Sequence, residues 1–90
     1  MQLAELLNLE EDQLVEMLAT AKARIVYCEN FKSVVKALEM KKAEMTGVST
    51  IAAQERESYA SKAYQQLVSD WQQATHDSIL LEYSLSTKRA

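Results

Sequence analysis

The sequence predicts an all-α protein, a long antiparallel helical hairpin with coiled-coil-like contact that dimerises into a four-helix bundle. Three observations carry this. Proline is absent and glycine occurs once in 90 residues, which removes most of the residues that build tight turns. The stretches on either side of Gly47 repeat apolar residues at intervals of three and four, the period of one helix face. Further apolar residues, among them Val15, Val26, Val34, Val68, Ile79 and Leu80, widen each stripe beyond what one partner helix covers. A rival arrangement has the N-terminal prelude and the C-terminus fold over that extra surface.

The elements follow in chain order within a single domain. Residues 1–8 form a prelude in which Leu3, Leu6 and Leu7 recur at helical spacing; it is either a turn of its own or a backward extension of the first helix. That helix is expected over about 9–46. Asn8 followed by Glu11 is a capping-box pattern, and Glu10, Glu11 and Asp12 suit the positive end of the helix dipole, as Lys41 and Lys42 suit the negative end. Its seam runs Leu14, Leu18, Ala21, Ile25, Cys28, Phe31, Val35, Leu38 and Met45, with Lys42 in the one polar gap. The repeated three-residue step from Cys28 to Phe31 predicts a stammer, a local overwinding.

Gly47 is the expected left-handed cap that ends this helix, with Ser49 or Thr50 capping the next. The second helix, about 50–87, carries the cleanest series: Ala60, Tyr64, Leu67, Trp71, Ala74, Ser78, Leu81 and Leu85, stepping four and three in alternation. Ser61 is a candidate fresh N-cap, which predicts a break near 58–61. Self-association is expected along Leu14, Leu18, Ile25, Phe31, Val35 and Leu38 of the first helix and Tyr64, Leu67, Trp71, Leu81 and Leu85 of the second.

Composition narrows the function classes. The net charge of −3 has the wrong sign for a domain whose affinity comes mainly from neutralising phosphates. A lone Cys28 forms no internal disulfide, and the start of the chain lacks the basic and apolar regions of a signal peptide, so the cytoplasm is the expected compartment. No window approaches the roughly 18–20 apolar residues of a membrane span, and no membrane partner is expected. His76 beside Asp77 lacks the further ligands that a zinc site needs, so neither metal nor cofactor is expected. One glycine excludes a glycine-rich phosphate loop, and a hairpin offers no concave interior for catalysis. The chain reads as a non-enzyme.

Two sets of residues remain as candidate contacts. Residues 1–21 hold five acids and no base, whereas Lys22, Arg24, Lys32, Lys36, Lys41 and Lys42 follow against Glu29 and Glu39. Within them Arg24, Lys32 and Lys36 sit at helical spacing, a basic strip for a phosphate backbone or an acidic partner. Tyr59 and Tyr83 fall off the seam, and exposed aromatics beside polar residues are what binding hot spots are made of.

The segment from Ser49 through Glu55, Arg56, Tyr59 and Ser61 to Tyr64, preceded by Lys32–Met40 and followed by the long helix from Leu67 to Leu85, resembles a family of small uncharacterised helical-hairpin proteins of tailed bacteriophages. The resemblance covers about residues 14–85. The family's closing Arg/Trp-rich tail has no counterpart in Ser86–Ala90. The resemblance implies a protein of the infected host's cytoplasm that binds or inhibits a host or phage protein. Its alternative implication is an accessory of phage DNA replication or recombination, contacting nucleic acid through the basic strip.

Overall fold

The computed structural model describes residues Met1–Ala90. Four helices and no strand make up the fold: α1 (Leu3–Leu7), α2 (Glu11–Met45), α3 (Ile51–Ala60) and α4 (Lys62–Arg89). It is an all-α helical hairpin in which α2 packs against α3 and α4. The chain divides into two compact units, Met1–Val26 with Trp71–Ala90, and Tyr27–Asp70.

The first unit is built on leucine. Leu6 of α1, Leu14 and Ala21 of α2, and Leu81 and Leu85 of α4 form one buried cluster, with Leu9, Met17, Leu18 and Leu80 packed around it. The prelude is therefore a separate turn of helix whose Leu6 covers part of the stripe. Asn8 does not open α2; it is the C-cap of α1, its N–H donating to Glu5 O. The side-chain bond that opens α2 lies two residues later, where Glu10 N–H donates to Gln13 Oε1 at 3.0 Å. Helix α2 begins at Glu11 rather than at residue 9. Salt bridges from Arg89 to Glu11 and from Lys22 to Glu82 cross between α4 and α2 on the surface, where such pairs contribute about 0–1 kcal/mol each.

The second unit is held more by caps than by bulk. Val48 N–H donates to Ala43 O at 3.0 Å and Gly47 N–H to Glu44 O at 3.1 Å, the paired bonds of a Schellman motif. Gly47 has φ +102°, a conformation that glycine adopts without a Cβ penalty. Thr50 then caps α3 by accepting from Ala53 N–H at 3.2 Å, and the buried Gln54 donates back to Val48 O at 2.8 Å. The second long helix is interrupted: Ser61, with ψ 149°, ends α3. Its hydroxyl accepts from Tyr64 N–H at 3.2 Å and donates to Ser58 O at 2.7 Å.

The seam departs from its expected course after Cys28. Leu14, Ala21 and Cys28 are buried, and Val35, seven residues further on, is half-buried. Because α2 is unbroken from Glu11 to Met45, the phase set by the first three positions continues on to Val35. The buried face therefore does not take the three-residue step from Cys28 to Phe31, and Phe31, Leu38 and Met45 are exposed on an adjoining face. Of the other seam positions, Leu67, Leu81 and Leu85 are buried within the hairpin, whereas Leu18, Ile25, Tyr64 and Trp71 are half-buried.

Candidate interaction surface

The side chains that leave the seam form a pattern of their own. Within the second unit, Tyr27 (58% exposed), Phe31 (41%), Val34 (45%), Leu38 (58%) and Met45 (78%) lie on α2. With Lys41 between the last two, the steps are four, three, four, three and four. This is a second heptad stripe, parallel to the buried face of the same helix and covered by nothing in the chain. The Tyr27 and Phe31 rings, one turn apart, stack at 4.4 Å between centroids with planes 23° apart. Single exposed apolar residues are ordinary on a protein surface, whereas a contiguous run is less common. The same spacing is present in the sequence, where Phe31, Leu38 and Met45 fit the expected first seam equally well.

A second cluster in this unit joins three elements. The half-buried Lys36 of α2 donates to Glu55 Oε1 of α3 at 2.8 Å and lies 5.0 Å from the Tyr59 ring centroid. Tyr59 in turn meets Tyr64 of α4 edge to face, centroids 5.1 Å apart. The hydrogen bond to Glu55, and then Tyr59, hold the Lys36 ammonium above its ordinary pKa. Tyr59 is thus a packing partner of this cluster as well as a partly exposed ring.

The basic strip is altered by the same contacts. Lys36 is engaged by Glu55, Lys32 is exposed in the second unit, and Arg24 belongs to the first, where it lines a shallow hollow with Thr20 and Asp77. Tyr83 is exposed on α4 of the first unit.

Cys28 is buried, and desolvation followed by the negative charge of Asp70 pushes its thiol up, away from the thiolate that reactive cysteines need. His76 Nδ1 lies 3.6 Å from Asp77 Oδ1 on an exposed face, beyond hydrogen-bond distance. No group of three or more ligand-type side chains converges, and no helix is long and apolar enough to cross a membrane. Compared with models of protein families, with curated proteins and with solved structures, the chain finds no match.

Proposed function

We propose that the chain is a non-enzymatic protein–protein interaction module whose contact face is the stripe from Tyr27 to Met45. The observation that carries this reading is the stripe itself, five exposed apolar side chains in heptad phase. Helix faces of this kind bind a partner helix through anchors at successive turns. A role in an infected cell, with a host or phage protein as the partner, is what the resemblance of residues 14–85 implies. The nucleic-acid reading through Arg24, Lys32 and Lys36 has less support, because the ammonium of Lys36 is bound by Glu55.

The test is a photo-reactive benzophenone amino acid in place of Leu38, with Glu29 as the control position, in cells producing the chain. A protein adduct at Leu38 that is absent at Glu29 is expected. Adding Phe31→Glu lowers its yield by about 100-fold, because truncated or charged anchors dominate interface losses. The same change forfeits the Tyr27 stacking, a cost to stability of about 1 kcal/mol, and circular dichroism of the variant checks that the chain stays folded. No adduct at Leu38 overturns the reading, and a nucleic-acid adduct favours the basic strip instead.

A further inference from the structure

We propose that the occupant of this stripe is the same stripe of a second copy, docked antiparallel about a two-fold axis. The inference rests on the reading of the stripe as a contact face and names its partner. A two-fold interface requires one patch to be complementary to itself, and the order of residues on α2 meets that requirement in one register. When Val34 lies opposite Leu38 of the second copy, Phe31 falls opposite Lys41 and Tyr27 opposite Met45. The middle layers are then aliphatic on aliphatic. The outer layers bring the one cation of the stripe onto an aromatic face already stacked with its neighbour, and a thioether onto a tyrosine ring. Both contacts are attractive.

The charge arrangement excludes the main competitor. A parallel pair in register stacks like on like, so Lys41 meets Lys41 inside the apolar seam, where a desolvated like-charge contact is costly. In the antiparallel register the flanking positions set Asn30 against Glu44 and Ala37 against itself, and no like charges meet. The area is also sufficient. The five apolar side chains leave on the order of 500 Å² uncovered per copy, and the flanking residues bring the contact towards the roughly 800 Å² per partner of a standard interface. The unvarying three–four stepping keeps the face aligned with a helix crossing at about 20°.

The experiment uses the purified full chain. Sedimentation velocity of the wild type gives a dimer at micromolar concentration, and Lys41→Glu weakens it by about tenfold by setting a carboxylate against the aromatic pair. In a Cys28→Ala background, mixing copies carrying Val34→Cys with copies carrying Leu38→Cys yields a mixed disulfide on oxidation, and neither variant crosslinks efficiently to itself. Disulfides demand Cα atoms within about 7 Å, which only facing layers provide. Self-crosslinking of Leu38→Cys, with a dimer indifferent to Lys41→Glu, means parallel docking and overturns the inference. A monomer at about 100 μM also overturns it. In that case a Leu38 photo-adduct to a different protein leaves the contact-face reading standing, whereas the lack of any adduct removes both.

Discussion

Lys36 keeps its proton against alkali because the Glu55 carboxylate accepts from it at 2.8 Å and the Tyr59 ring stands 5.0 Å away. Its folded pKa is raised above the ordinary value, first by Glu55 and then by Tyr59, while the unfolded chain titrates near the ordinary lysine value of about 10.4. A group with a raised folded pKa contributes stability that is fully present below the unfolded value and is lost as pH rises through the folded one. Replacing Glu55 by Gln removes the partner charge and should therefore lower the urea midpoint by the same amount across pH 7 to about 10. The gap between the two proteins should then close as the solution becomes more alkaline. A gap that persists unchanged at the alkaline end would show that Glu55 stabilises the unit by packing and not through the Lys36 charge. The same pair explains why this lysine is a poor candidate for a phosphate contact: docking there would first have to break the bond to Glu55.

Between α3 and α4 a single hydroxyl does the work of both a stop and a start. Ser61 accepts from Tyr64 N–H and donates to Ser58 O, so Ser61→Ala should cost about 1 kcal/mol, a fall in Tm of about 4–8 °C for a chain of this size. Thermal unfolding followed by circular dichroism checks it, with Ser61→Thr, which keeps a capping hydroxyl, expected to hold most of the wild-type Tm; an unchanged or raised Tm in Ser61→Ala would mean that one continuous helix is the more stable form. This break was legible in the sequence because a serine three residues ahead of a helical N–H has a definite bond to make, and the Gly47 cap was legible for the same local reason. The start of α2 was not: Asn8 with Glu11 and Glu10 with Gln13 are overlapping cap patterns, and only the placement of Leu6 in the first unit's core selects the later one. The phase of α2 beyond Cys28 was hidden for a different reason. Phe31, Val35 and Leu38 occupy two adjoining faces of one helix, and apolar spacing by itself does not say which face meets the hairpin and which remains outside. The exposed stripe becomes distinct only once burial assigns Val35 to the inner face.

Across the whole molecule the two units differ in what buries them. The buried residues of the first unit include four leucines, Leu6, Leu14, Leu81 and Leu85, beside Ala21, Ala74, Ser78 and Ser84, whereas the second buries one, Leu67, beside Cys28, Ala43, Gln54 and Ser58, small or polar side chains that carry less apolar area each than leucine. Local opening free energies follow buried apolar contacts, so hydrogen exchange should be slowest at Leu14, Ala21 and Leu81 and measurably faster through α3 and the start of α4. Such a distribution has a consequence for association. The weaker unit is the one that carries the stripe, and if a second copy covers it, the amides of residues 27–45 gain protection by mass action as protein concentration rises, while those of the first unit do not. Exchange measured at two concentrations about a hundredfold apart therefore reads both properties at once. Uniform protection in the two units would contradict the link between leucine content and opening. Protection of 27–45 that ignores concentration would mean that the second unit stands without a copy of itself, its caps at Gly47, Thr50 and Ser61 being enough to hold two helices and the beginning of a third together.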